Sequence, residues 1–242
     1  MAIDEAILEA GPDTLRIYTW SPSGLSLGRA TPASAVNLGG AERLGVTPVR
    51  RPTGGAALYH DELGEVTYSI VISNGDLLSL SVEESAARIA EAVALAARIL
   101  GAADARVGGF QGPGGEALCY LNPGASDVVV LGRKVSGSAQ LRRRGRILQQ
   151  GTLLLRFDPL KWSRLIPTRT PPGELGRYVA GLSDLLGRPL SVEEAVEALV
   201  RGFEESLGLS LEPGTLTPRE ASIASRLARE KYSSREWLHA VP

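Results

Sequence analysis

Residues 127–140, DVVVLGRKVSGSAQ, decide how this chain is read. Three valines lead to Leu131-Gly132, and a second run of apolar and small residues follows, so two strands meet in a tight hairpin. Lys134 opens the second strand. Strand alternation puts Lys134, Ser136 and Ser138 on one face, opposite Val135 and Gly137. A lysine followed by small residues faces a narrow cleft, where its charge would neutralise a phosphate or polarise an acyl carbonyl. The alternative is an edge-strand lysine that discourages aggregation.

Outward from this hairpin the pattern stays strand-rich. Residues 117–121, 126–131, 134–141 and 146–156 read as strands, the last two joined by the basic turn Arg142-Arg143-Arg144-Gly145. Upstream, strands are expected at 15–20, 25–29, 47–51, 56–60 and 65–73, with a helix at 35–44. The glycine-rich stretch 108–115 reads as a loop free to move. Residues 2–10 carry apolar side chains at helical spacing, and 82–100 form the clearest helix, opened by a Ser81/Glu84 capping box. Ser191/Glu194 and Thr217/Glu220 open further helices, the latter with Pro218 at its first position. Strands clustered in the centre with helices segregated around them predict an α+β fold. A single domain is expected over residues 1–242, its C-terminal portion 191–242 helical, without a separate accessory domain.

Composition narrows the function. The net charge of -1 and pI near 6.2 supply no basic field for nucleic acid, and no apolar run is long enough to span a membrane. A cytoplasmic protein is expected, since the N-terminus lacks a signal-peptide pattern. One cysteine and two histidines exclude a disulfide framework and make a metal site of such residues unexpected.

Two other stretches could carry chemistry. In residues 50–61, RRPTGGAALYHD, a strand ends in two arginines and a glycine pair follows. Adjacent glycines let a backbone approach a ligand, and Arg51 could bind a carboxylate or phosphate. Read locally, the same residues also make an ordinary hairpin turn with solvated arginines. In residues 117–123, ALCYLNP, Cys119 reads by default as an inert core thiol. A catalytic reading requires a nearby cation such as Lys134 on the next strand.

Taken together the segments resemble the lipoate–protein ligase A family and its octanoyltransferase relatives. Residues 1–6, MAIDEA, resemble that family's opening Asn-Met-Ala-x-Asp-Glu-Ala. Residues 50–61 match its Arg-Arg-x-Ser/Thr-Gly-Gly-Gly-Ala-Val-Tyr-His-Asp motif, and 132–139 match Gly-x-Lys-x-Ser/Ala-Gly-Ser-Ala. Residues 150–154, QGTLL, and 231–237, KYSSREW, follow in order, so the resemblance covers nearly the whole chain.

The resemblance implies a central mixed β-sheet flanked by helices, as in biotin and lipoate ligases. It implies that Arg51, Thr53, Gly54, Gly55, Ala56, Ala57, Leu58, Tyr59 and His60 hold the acyl group or adenylate. Lys134 would contact the acyl carbonyl, Gly137 would let the ligand lie close, and Asp127 and Gly151 would border it. The implied acceptors are lysines of lipoyl carrier domains, in 2-oxoacid dehydrogenases or the glycine cleavage H protein. One branch of the family moves octanoyl from acyl carrier protein through a cysteine, without a cofactor; residues 119–124, CYLNPG, stand where that branch has its nucleophile. In that chemistry Lys134 would also stabilise the Cys119 thiolate. The alternative is a ligase that activates free lipoate with ATP and Mg²⁺, with or without a separate accessory subunit. Ala56 and Gln150 depart from the family's third glycine and its histidine, which motivates a third reading as a carrier-binding protein without catalysis.

Overall fold

The computed structural model describes residues 1–241. Among the described residues there are nine strands: β1 (Thr14–Tyr18), β2 (Gly24–Leu27), β3 (Thr47–Arg50), β4 (Leu58–His60), β5 (Glu65–Ile72), β6 (Arg106–Val107), β7 (Val128–Val130), β8 (Arg133–Arg143) and β9 (Arg146–Leu154). Six form one sheet in the order β1-β5-β9-β8-β7-β6, and β3-β2-β4 form a smaller one. The expected α+β architecture holds. The mixed character sits in the small sheet, where β2 runs parallel to β3 and antiparallel to β4; the pairings of the large sheet are antiparallel.

Helix Val82–Ile99 forms where the Ser81/Glu84 capping box predicts it, and its alanine-rich face packs on the large sheet together with helix Val192–Leu207. Gly202 makes that contact possible: a Cβ there would lie 2.2 Å from the Ala92 carbonyl oxygen. Helix Ala2–Ala10 covers part of the sheet's other face and packs against helix Pro218–Leu227. The second core lies between the small sheet and the segment 154–179, around buried Trp162. Among the described residues no helix is long and apolar enough to cross a membrane.

Two local expectations change. Residues 117–121 are not a strand: one parallel bridge joins Leu118 to Ala57, and Cys119–Leu121 then turn as a 3₁₀ helix. The simple alternation along β8 also fails. Its register with β7 pairs Val128 with Ser136 but Val129 with Lys134, so β8 carries one extra residue, a bulge. The bulge brings Gly137 onto the face of Lys134, where a Cβ would lie 3.0 Å from Lys134 Cε. Ser138 turns to the other face and bonds Ser126 and Gln149. The hairpin itself is as expected, with Leu131 and Gly132 both at positive φ (50° and 76°).

Candidate active site

A cavity of about 420 Å³, counted with its open mouth, lies between the two sheets. The small sheet and its glycine loop contribute Ser26, Arg51, Leu58 and His60. Thr67, Gly137, Ala139, Gln150 and Thr152 line it from the large sheet, and Cys119 with Tyr120 closes one side. Along β4, Leu58 and His60 line the cavity while Tyr59 between them does not and packs edge-on to Trp162; Leu58 also joins the second core with Ala57 and Tyr59.

Cys119 is half-buried and held by main-chain bonds. Its amide donates to the Ala57 carbonyl at 2.8 Å, and the Ala57 amide donates to Ala117 at 2.9 Å, so the cysteine loop and the glycine loop are stitched together. The thiol consequently lies beside the glycine pair. A Cβ on Gly55 would stand 3.6 Å from Cys119 Sγ and 2.8 Å from Arg51 Nη2. Gly55 has φ of +82° and needs glycine for backbone reasons as well. Ala56 has no positive φ, so the alanine in place of a third glycine fits without strain, and its carbonyl accepts from Arg51.

Lys134 is 2% exposed and all three of its donors are engaged. They reach Asp127 Oδ1 at 2.6 Å, the Asn122 carbonyl at 3.0 Å and the Cys119 carbonyl at 3.5 Å. The ammonium also lies 5.3 Å from the ring centroids of Phe110 and Tyr120. Burial pushes the Asp127 carboxyl up, with the Lys134 charge opposing. Lysine and cysteine thus meet, but through the main chain of the cysteine turn and not through sulfur.

Arg51 is 6% exposed. Its five donors go to the carbonyls of Gly54, Ala56 and Ser26 and to Ser26 Oγ. Ser26, which the motif reading did not single out, links Arg51 to His60 Nε2 at 2.8 Å, and His60 Nδ1 meets Glu65 Oε1 at 2.7 Å. A serine inside the apolar strand 24–27 was the available signal. Thr53 bonds the Gln150 side-chain oxygen at 3.0 Å, and the Gln150 amide donates to buried Asp4 at 2.7 Å. Gln150 therefore bridges the glycine motif to the first helix, using one donor and one acceptor without a charge. Gly151 borders the cavity, and a Cβ there would meet the Tyr68 hydroxyl at 2.5 Å. Among the described residues no cluster of three or more metal-ligating His, Cys, Asp or Glu side chains occurs.

The catalytic-domain model of lipoyl protein ligases A and B matches residues 1–204. This chain belongs to that family. Octanoyltransferase LipM of Kyrpidia tusciae is 40% identical over 98% of this chain and 92% of its own length. The LipM octanoyltransferase of Carboxydothermus hydrogenoformans is 36% identical over 98% and 93%. Among solved structures, a lipoate-protein ligase A bound with ATP superposes with a TM-score of 0.84 at 29% identity, covering 100% of this chain and 93% of that one. A bipartite lipoate protein ligase of Thermoplasma acidophilum, described with its E2 lipoyl domain, superposes with a TM-score of 0.81 at 30% identity, covering 100% and 91%.

Proposed function

We propose that this lipoyl ligase-family protein moves an octanoyl group from acyl carrier protein to a lysine of a lipoyl carrier domain, with Cys119 holding the group as a thioester. The enzyme is a transferase of protein lipoylation, and its curated relatives named octanoyltransferase match nearly the whole chain. The observation that carries the cysteine step is the placement of the half-buried Cys119 at the wall of the cavity, on the turn whose carbonyls bind Lys134.

In the first step the Cys119 thiolate attacks the carbonyl carbon of the donor thioester. The donor's C–S bond breaks, and the carrier's thiolate leaves and takes a proton from solvent. In the second step the neutral lysine amine attacks the Cys119 thioester, loses a proton, and the thiolate of Cys119 is restored. Lys134 supplies positive charge at the acyl oxygen, where negative charge develops in both steps. Its longest contact, 3.5 Å to the Cys119 carbonyl, is the donor most easily transferred to that oxygen. Leu58, Ala139 and Thr152 provide the walls along which the acyl chain would lie.

The test is to incubate the protein and an apo lipoyl domain either with octanoyl-acyl carrier protein, or with lipoate, ATP and Mg²⁺. Mass spectrometry should find octanoyl on Cys119 and then on the domain, without ATP. Absence of the acyl adduct together with a fully active Cys119→Ser variant sinks the reading. Modification only with lipoate and ATP, with release of pyrophosphate, replaces it by the ligase chemistry.

A further inference from the structure

We infer that a recess lined by Arg29, Arg143 and Lys231 is a phosphate site, which holds the phosphodiester of the donor's pantetheine arm while its thioester lies at Cys119. The inference rests on the transferase reading above and adds the part of the donor that the reaction leaves unchanged.

The recess, about 650 Å³ with its open mouth, adjoins the catalytic cavity. Pro52 lines it one residue from Arg51, and Leu141 lines it two residues beyond Ala139, on the same face of β8. The thiol stands at the near end of this line: a Cβ on Gly55 would lie 3.6 Å from Cys119 Sγ and 3.9 Å from Ala139 Cβ. By the rise of a strand, Leu141 is about 7 Å beyond Ala139. An extended pantetheine chain covers that distance, so a thioester held at Cys119 delivers its phosphate to the recess.

Three cations line the recess against one carboxylate, in a chain whose net charge is -1. Glu5 orders two of them. Lys231 donates to its oxygens at 2.9 and 2.6 Å, and Arg143 donates to Oε1 at 3.1 Å. Glu9, 3.8 Å from Arg143, is shared with Arg226. Donors remain on all three cations. Lys231 keeps one N–H, and Arg143 spends only Nη1. Arg29 is exposed, and among the described residues its side chain has no hydrogen bond and no carboxylate within 4.0 Å. Its backbone is nevertheless fixed, because its amide donates to the Thr53 carbonyl at 2.8 Å and its carbonyl accepts from Arg50 at 3.1 Å. Trp237 is fixed as well: its Nε1 donates to the Arg50 carbonyl at 2.8 Å, and the Lys231 ammonium lies 4.3 Å from its ring centroid. A phosphodiester accepts from several such cations at once. Pro52, Leu141 and Trp237 wall the recess, which suits an anion carried on a slender chain. Carboxylates displayed on a folded domain would meet only the rim.

The test compares octanoyl-pantetheine with octanoyl-4′-phosphopantetheine, which differ only in the phosphate, beside octanoyl-acyl carrier protein. Transfer to an apo lipoyl domain is followed by mass spectrometry, and binding of phosphopantetheine and pantetheine themselves by calorimetry. The parent should use the phosphorylated small donor about ten-fold better in kcat/KM and bind phosphopantetheine more tightly than pantetheine. Arg29→Gln and Arg143→Gln, each checked for folding by circular dichroism, should lower kcat/KM about three- to ten-fold with phosphorylated donors and stay within about two-fold of the parent with octanoyl-pantetheine. Equal use of the two small donors by the parent overturns the site, and so does an equal loss with all three donors in the variants. A loss confined to the carrier protein also overturns it, since the recess would then read the carrier's surface. If only the carrier protein donates, calorimetry decides, and equal affinity for pantetheine or unchanged affinity in Arg29→Gln overturns the site. Phosphopantetheine binding that weakens in Arg29→Gln, in a protein that transfers octanoyl from no donor, keeps the site and removes the transferase reading. Transfer without preference for phosphate keeps the transferase reading and removes the site.

Discussion

Two buried cations flank the turn that carries Cys119, Arg51 at the cavity wall and Lys134 behind it, and they are held in opposite ways. On the large sheet, outside the cavity lining, Lys134 is paired with a carboxylate and tied to the turn that carries Cys119. On the wall of the small sheet, Arg51 is held by carbonyls and one hydroxyl, with no anion against it. A paired ammonium acts over a hydrogen bond's length, so it suits an acyl oxygen delivered to it. An unpaired guanidinium held by neutral acceptors ties the glycine loop to Ser26 on the small sheet. Neighbouring Arg50 shows that burial next to the motif is not enough. Its donors clasp the carbonyls of Gly28, Arg29, Thr31, Trp237 and Leu238, so it fastens the C-terminal segment to the loop beneath the glycine pair.

The largest effect expected is from Cys119→Ala, which removes the proposed nucleophile. Octanoyl transfer should fall on the order of a thousand-fold or more while the fold stays intact, measured as domain modification by mass spectrometry. Next comes Lys134→Ala, which breaks the comparison at its paired side. Transfer should fall about a hundred-fold or more. Stranding Asp127 should also lower unfolding stability by about 3–5 kcal/mol in chemical denaturation. Adding Asp127→Asn should return much of the stability and none of the transfer, because the charge at the acyl oxygen is still missing.

Gly55→Ala probes the other wall. It places a Cβ at φ +82° and 2.8 Å from Arg51 Nη2, so about 1–3 kcal/mol of stability should be lost. The rate of Cys119 alkylation by iodoacetamide should change as well, because the added Cβ lies 3.6 Å from its sulfur. A variant with parental stability and alkylation would show that the contact between the glycine loop and Arg51 is slack.

The smallest effect lies outside the cavity, at Glu5, where Lys231, Tyr232 and Arg143 converge on one buried carboxylate. Burial raises this carboxyl, but its three partners outweigh burial and hold it below its ordinary 4.5. A carboxyl depressed in the folded state stabilises fully above its unfolded value and loses that contribution as pH falls through the folded one. Stability measured by denaturation should therefore fall on acidification below about pH 4.5, and Lys231→Ala should flatten that acid limb. An equal acid limb in the variant would place the acid sensitivity elsewhere.

Much of this molecule was legible in its sequence because the signals are local. Capping boxes at Ser81, Ser191 and Thr217 set three helix starts, and each closes as its residues dictate. Leu131-Gly132 dictated a two-residue turn, and the ordered motifs placed the family's glycine loop, lysine strand and cysteine turn in one chain. Tertiary structure decided what no local pattern contains. An apolar run at 117–121 reads as a strand, yet its single bridge to Ala57 leaves Cys119 in a turn beside Gly55. The bulge in β8 arises from its pairing with β7, and it alone turns Gly137 toward Lys134. Read alone, the sequence sets Lys134 on the strand next to the thiol and leaves Arg51 for a carboxylate or phosphate. Which of them is paired depends on whether a carboxylate folds against it, and Asp127 folds against Lys134 because pairing across the hairpin brings the two together.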